Sequence, residues 1–276
     1  SGDWSSDVCS SDLYAFNYVK VRSLTEAAKL LAANREAKLL AGGMTLVPTL
    51  KQRLAQPSHL VDISALPELR GITAKGGALT IGAATTHHEV AASAVVKKAI
   101  PALAALAELI GDPQVRNAGT IGGSVANNDP AADYPAAVLG MGATVVTNAR
   151  EIAADDYFQG LFTTALDDGE IITAVRFPAV ERAGYAKFKQ PASRFCLVGV
   201  FVAKTASGVR VAVTGAGEGG VFRHAGLEAA LAANWSASAV DGVDVSSDGL
   251  MSDIHGDAAY RANLIKVMAK RAVAAS

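Results

Sequence analysis

The sequence predicts an α+β protein with a two-part N-terminal domain and a smaller C-terminal α+β domain that holds a three-stranded antiparallel sheet and helices. Short apolar runs alternate with helical patterns from Tyr14 onward, and glycine pairs follow two of these runs. After Pro178, three extended segments follow one another before helical patterns return. We therefore divide the chain into residues 14–178, with parts at about 14–66 and 67–178, and residues 179–276.

The first part reads as two strand–helix units and a further strand. The run YAFNYVKV predicts a strand, and Ser23 with Glu26 forms a capping box at the start of a helix. The run AKLLA predicts a short buried strand that ends at Gly42–Gly43. Thr45 is then placed to cap a second helix, whose first turn tolerates Pro48, and HLVDIS predicts the next strand.

The second part begins with a hairpin, LRGITAKGGALTIGAA, that turns at Gly76–Gly77. Helical patterns follow in THHEVAAS and IPALAALAELIGD. A polar loop that contains Gly122–Gly123 leads to a helix, YPAAVLGMG, and the strands ATVVTN and EIITAVRFP complete this part.

The C-terminal domain begins with the strands GYAKFKQ and FCLVGVFVAKT. A hairpin through residues 206–208 leads to a third strand, VRVAVTGA. A short helix at about Leu227–Ala233, a Ser/Asp/Gly-rich stretch and a long helix from about Asp257 follow. By contrast, residues 1–13 are rich in Ser and Asp without any hydrophobic period, and we interpret them as a non-native or disordered leader.

Composition excludes several classes of function. The net charge of −1 gives no basic surface for nucleic acid, and no apolar run reaches the ~18–20 residues that span a bilayer. Cys9 and Cys196 are too few for an iron–sulfur cluster or a disulfide framework, which fits a reducing cytoplasm. The histidines lack metal-site spacing, and the adjacent His87 and His88 diverge on any regular element, so they favour structural or surface roles.

Three glycine-rich turns are candidate ligand sites. GAGEGG at Gly215–Gly220 satisfies G-x-G-x-x-G, but only 56 residues follow it and its strand belongs to a hairpin, so a plain turn is the favoured interpretation. LLAGGMTLVP is a stronger candidate, since a strand runs through two glycines into a helix N-terminus that favours an anion. Taken alone, this segment fits a tight strand-to-helix turn without a ligand equally well. TIGGSVANNDPAAD again places a glycine pair among backbone and hydroxyl donors, and the Asp133 carboxylate that follows is free to accept a hydrogen bond. Two such turns in one domain indicate an elongated ligand with polar groups along its length.

These two turns together carry a resemblance to a known family. LAGGMTLVPTLKQRLAQPSHLVDIS and IGDPQVRNAGTIGGSVANNDPAADYPAAVLGMGA resemble the FAD-binding medium subunit of molybdenum hydroxylases of the carbon monoxide dehydrogenase, xanthine dehydrogenase and aldehyde oxidase type. The resemblance extends to the C-terminal SDIHGDAAYRANLIKVMAKRAV. It implies the two-subdomain FAD-binding fold of the p-cresol methylhydroxylase and vanillyl-alcohol oxidase type.

The resemblance also implies which residues contact FAD. Those that match the two FAD loops are Ala41, Gly42, Gly43, Met44, Thr45, Thr120, Ile121, Gly122, Gly123 and Ser124. Asp133 matches an acidic residue that contacts the cofactor. Lys187 aligns best with a lysine near the flavin, with Lys189 as the alternative, and Ile172 or Ile171 would lie by the adenine end. It implies no catalytic residue and no metal ligand in this chain.

The implied function is electron transfer within a larger enzyme. FAD would take electrons from iron–sulfur clusters and pass them to an external acceptor. The clusters would belong to a small partner subunit and the molybdenum cofactor to a large one, commonly as a dimer of trimers in the cytoplasm. The alternatives are a free-standing FAD-dependent oxidoreductase, for which no catalytic acid or base stands out, and a non-catalytic nucleotide-binding module.

Overall fold

The computed structural model describes residues 13–276, and in them three larger sheets and one two-stranded hairpin form. The predicted leader, except for Leu13, and Cys9 lie outside the described residues. Helices and strands are mixed throughout, which confirms the α+β class. No helix in the described part of the chain is both long and apolar enough to cross a bilayer.

The first sheet is parallel, with strand order β1-β3-β2. Its elements in chain order are β1 (Asn17–Lys20), α1 (Leu24–Ala33), β2 (Lys38–Leu40), α2 (Leu46–Lys51) and β3 (His59–Asp62). Because the strands are parallel, the segments that follow β1, β2 and β3 meet at one edge. The predicted capping box is only half formed: Ser23 accepts from the Glu26 N–H, but the Glu26 carboxylate accepts from the N–H of Arg22. The expected burial of β2 was wrong, because this short edge strand is partly exposed.

The second sheet has five strands in the order β4-β5-β10-β6-β7, and its pairs are antiparallel. Its strands are β4 (Ile72–Lys75), β5 (Ala78–Gly82), β6 (Thr144–Thr147), β7 (Glu151–Ala153) and β10 (Ile172–Phe177). The predicted turn at Gly76–Gly77 is confirmed, since both glycines have positive φ and Lys75 pairs with Ala78. A small hairpin, β8 (Phe158–Gly160) with β9 (Thr163–Thr164), lies beside it.

Seven helices of this region follow β5 in the sequence and precede β10. They are α3 (His87–Ala92), α4 (Ala94–Ala99), α5 (Pro101–Glu108), α6 (Pro113–Ala118), α7 (Ile121–Asn127), α8 (Tyr134–Met141) and α9 (Ala154–Tyr157). Every residue of α8 is buried, and α5 and α8 contribute much of the largest apolar core. A buried helix next to Asp133 fixes that part of the predicted site firmly in the core.

The C-terminal region contains four strands rather than the predicted three. The strands are β11 (Val180–Lys189), β12 (Cys196–Thr205), β13 (Gly208–Thr214) and β14 (Phe222–Arg223), and all pairs are antiparallel. The two-residue β14 is too short to show an alternating pattern in sequence. Two helices, α10 (Ala225–Ala233) and the predicted long α11 (Ala258–Ala274), complete a second core on this sheet. Gly184 lets α11 approach β11, since a Cβ there would lie 1.9 Å from the Ala272 carbonyl oxygen.

Candidate functional site

The first predicted turn, Gly42–Gly43, follows β2 and leaves a run of backbone N–H groups without acceptors. Within the described chain, no hydrogen bond is donated by the N–H groups of residues 41–46, whereas the Gly43 carbonyl accepts from Val47. Gly43 has a φ of +71°, which suits glycine. Thr45 stands at the N-cap position, but its side chain makes no capping bond, so that prediction was wrong. The segment therefore offers unsatisfied donors to a ligand.

Gly42 brings this segment against the end of α6. A Cβ at Gly42 would lie 2.0 Å from the Ala118 carbonyl oxygen and 2.8 Å from the Cα of Gly119. Only a glycine permits this contact between two backbones. Because Thr120 follows at once, the two predicted glycine segments, 80 residues apart in sequence, are adjacent in space.

The second pair, Gly122–Gly123, does not form the predicted loop but the first turn of α7. Thr120 is its N-cap and accepts from the Gly123 N–H at 3.1 Å. The N–H groups of Ile121 and Gly122 donate to the Thr85 and Ala83 carbonyl oxygens. The expectation of free backbone donors here was therefore wrong, because the chain before α3 already accepts from them.

The two glycines of α7 have different surroundings. Gly122 is packed against the second sheet, since its Cβ would meet the Cβ of Ala83 at 2.5 Å. Gly123 is exposed, and its Cβ would meet only the hydroxyl oxygen of Thr120, at 3.0 Å. Ser124 is partly exposed, and its hydroxyl has no partner among the described residues. Gly123 and Ser124 thus leave room and a hydroxyl group for a ligand, while Gly122 serves packing and Thr120, which is 5% exposed, caps α7.

The sequence predicted a free Asp133 carboxylate, but in the structure both of its oxygens are hydrogen-bonded in a buried cluster. Its carboxylate accepts from Lys187 Nζ at 2.9 Å and from the Tyr185 hydroxyl at 2.5 Å. The Lys187 and Asp133 side chains are only 1% and 6% exposed. Lys189, the alternative, is exposed. The structure therefore joins the two residues that were expected near the flavin, and it selects Lys187 as the partner of Asp133.

The electrostatics of this cluster follow from its burial. Burial raises the pKa of the Asp133 carboxyl, and the charge of Lys187 and the hydrogen bond from Tyr185 oppose that rise. Two donors on the two oxygens are the arrangement of an ionised carboxylate. Burial and the neighbouring Asp133 raise the pKa of Tyr185 far above its usual value, so the phenol remains a donor. The ion pair is buried and holds its two charges beside α8.

Ile171 and Ile172 lie in the core rather than at a surface. Ile171 is 1% exposed and Ile172, the first residue of β10, is 5% exposed. The N–H of Ile171 donates to the side chain of Asn148, and its carbonyl accepts from the Asn148 N–H. Neither side chain is open to a ligand in this structure.

Three residues near the site were not selected from the sequence for contact with it: Tyr134, Tyr185 and His87. Tyr185 precedes Lys187 by two residues on β11, so the two share a face of the strand, and that spacing was the available signal. His87 was expected to be structural or exposed; it is buried and its ring lies 5.4 Å from that of Tyr134. No local pattern signals such a contact across 47 residues.

GAGEGG is a turn, as favoured from the sequence. The Gly215 N–H donates to the Pro130 carbonyl and the Gly220 N–H to that of Gly217. The strand before it, β13, is antiparallel to its neighbours, and β14 rather than a helix follows. A dinucleotide fingerprint requires a strand, a glycine turn and a helix in succession.

Comparisons with known proteins relate the chain to one family. The model of the family described as "FAD binding domain in molybdopterin dehydrogenase" matches residues 14–180. The chain is 35% identical to the carbon monoxide dehydrogenase medium chain of Hydrogenophaga pseudoflava, over 95% of this chain and 96% of that one. It is 34% identical to the nicotine 6-hydroxylase medium subunit of Paenarthrobacter nicotinovorans, over 95% and 97%.

The same relationship appears in three dimensions. The solved structure of carbon monoxide dehydrogenase from Hydrogenophaga pseudoflava that lacks the Mo-pyranopterin moiety of its cofactor contains a chain with a TM-score of 0.87 and 36% identity. That match covers 95% of this chain and 97% of the other. Sequence and structure thus match over nearly the whole length of both chains. The chain therefore belongs to the family of FAD-binding medium subunits of molybdenum hydroxylases.

Proposed function

We propose that this chain holds FAD across the contact between Gly42 and the Ala118–Gly119 backbone and serves as the electron outlet of a molybdenum hydroxylase. One observation carries the proposal: the structure brings the two glycine segments into backbone contact although they are 80 residues apart. Beside the first segment lie unpaired N–H groups, and beside the second lies the exposed face of Gly123. FAD, when bound, supplies the capacity to accept and release electrons.

The first segment suits the diphosphate of FAD. The consecutive unpaired N–H groups of residues 41–46 can donate to phosphate oxygens, and the absence of side chains at Gly42–Gly43 admits the ligand close to the backbone. Met44 and Thr45 are exposed at the same turn. Ala41 contributes its N–H from the end of the parallel strand, at the sheet edge where ligands bind in α/β units.

The second segment would hold the ligand by shape and hydroxyl groups rather than by free backbone donors. Ser124 would supply a hydroxyl and Gly123 the open space, Thr120 would hold the first turn of α7 as its N-cap, and Ile121 and Gly122 anchor that turn to the sheet. The Asp133–Lys187 pair would set the charge near the flavin end from within the core. Ile172, or Ile171, would lie behind the adenine end rather than in contact with it, since both residues are buried.

The partners follow from what this chain lacks. No group of His, Cys, Asp and Glu side chains suited to a metal occurs among the described residues, and Cys196 is a buried free thiol. Electrons would therefore reach FAD from iron–sulfur clusters of a small partner subunit, fed by a large subunit that carries the molybdenum cofactor. An external acceptor would receive them, and the assembly would be a dimer of trimers in the cytoplasm. Residues 14–66, 67–178 and 179–276 are the proposed subdomains and C-terminal domain.

The test uses the purified chain and a co-expressed complex. The chain saturated with FAD is expected to be bleached by dithionite yet to stay oxidised with purines, aldehydes or carbon monoxide. Co-expression with the neighbouring genes is expected to give a complex whose flavin is reduced when one of these substrates is added. Turnover by the chain alone would overturn the electron-outlet proposal and support a free-standing oxidoreductase. Absence of flavin binding both by the purified chain and by the co-expressed complex would refute the cofactor assignment.

A further inference from the structure

The imidazole of His87 lies between the two parts of the candidate site. His87 is the first residue of α3 and is 5% exposed. Its backbone N–H donates to the Gly119 carbonyl oxygen at 2.9 Å. A Cβ at Gly119 would lie 2.6 Å from His87 Nε2, so the ring rests directly on the backbone just before Thr120. The same backbone touches Gly42.

A second contact of the His87 ring leads to the buried ion pair. The ring lies 5.4 Å from that of Tyr134, centre to centre, with the planes tilted by 47°. Tyr134 is fully buried and directly follows Asp133, the partner of Lys187. The His87 and Tyr134 rings together thus lie between the Gly119 backbone and the chain position of Asp133.

This arrangement carries a stability cost. His87 Nδ1 and the Tyr134 hydroxyl are buried without a hydrogen-bond partner among the described residues. Buried polar atoms are usually satisfied, and an apolar side chain of similar size would avoid the cost. The contacts of His87 with Gly119 and Tyr134 therefore use the flat shape of its ring and not the Nδ1 atom.

We propose that His87 is a positioning residue: its ring sets the spacing between the Gly42–Gly119–Thr120 contact and the Asp133–Lys187 pair, and hence how the flavin end of the cofactor sits relative to its diphosphate. The inference rests on the proposed function. It assigns to His87 no contact with the cofactor. Misplacement by about 1 Å at a distance from a reacting group is enough to alter binding and chemistry.

The test compares His87→Ala and His87→Phe with His88→Ala, an exposed neighbour on the same helix. We expect His87→Ala to raise the FAD dissociation constant about tenfold and to shift the flavin midpoint potential, because the gap lets the two parts approach. His87→Phe keeps a flat ring and should restore both values. His88→Ala should match the wild type.

Gly119→Ala supplies a second route if His87→Ala does not fold. The added methyl group would press on Nε2 at 2.6 Å and should weaken FAD binding, and His87→Ala in the same chain should restore part of the loss. Unchanged FAD affinity and midpoint potential in His87→Ala, with only a lower melting temperature, would overturn the inference. Wild-type affinity in Gly119→Ala would do the same. Loss of flavin binding by the wild-type chain would instead refute the proposed function.

Discussion

Gly123→Val tests the cofactor site most directly. Gly123 lies in the first turn of α7, and its Cβ would meet only the Thr120 hydroxyl oxygen at 3.0 Å, so the valine side chain would extend into open space. Valine is no worse than glycine in a helix, and the free energy of unfolding should change by less than about 1 kcal/mol. If FAD approaches this face, the two methyl groups block it.

The expected effect on binding is large. We expect the FAD dissociation constant to rise at least about 100-fold, which corresponds to about 2.7 kcal/mol. Fluorescence titration with FAD measures this, and urea unfolding of the apoprotein measures the stability. Gly43→Val is a weaker test, because the φ of +71° and the Val47 methyl at 3.1 Å would destabilise the fold itself.

Gly219→Val is the matched control. Gly219 lies in the GAGEGG turn, and its Cβ would meet no atom within 4 Å. The same side chain added there should leave FAD affinity unchanged. Wild-type affinity in Gly123→Val, with its fold intact, would refute the placement of the cofactor on α7; loss of affinity in Gly219→Val would revive the turn as a ligand site.

Three further results are expected. Lys187→Met should lower the free energy of unfolding by about 3 kcal/mol, because Asp133 would remain buried without its cation; an unchanged urea midpoint would contradict the buried pair. Burial and nearby Arg116 lower the pKa of His87 to about 4 from its usual 6.5, so the unfolded chain binds the extra proton between these values. Stability should therefore fall by up to about 3 kcal/mol from pH 6.5 to 4, and His87→Phe should remove that part of the acid loss; an identical pH profile in the variant would exclude His87 as its source. Affinity pull-down after co-expression with the neighbouring genes should recover two partner chains, and a stable monomer with full flavin-dependent activity would contradict the proposed assembly.

The sequence indicated the family because the relevant signals are local. Gly42–Gly43 after an apolar run and Thr120 ahead of Gly122–Gly123 are contiguous motifs, and their joint occurrence is specific. The hairpin at Gly76–Gly77 and the C-terminal helix were likewise readable, since turn chemistry and hydrophobic period act over a few residues.

Tertiary structure decided which hydrogen-bond donors and acceptors of the candidate site are already paired within the protein. The sequence predicted an open loop at Gly122–Gly123, but the Ala83 and Thr85 carbonyls accept from Gly122 and Ile121 and bury the start of α7. The sequence predicted a free Asp133, but Tyr185 and Lys187 on β11 donate hydrogen bonds to its carboxylate. Hydrogen bonds between residues 36 to 54 positions apart leave no trace in the local sequence pattern, because burial and partner depend on which elements meet. For the same reason the role of His87, between Gly119 and Tyr134, became visible only in the folded chain.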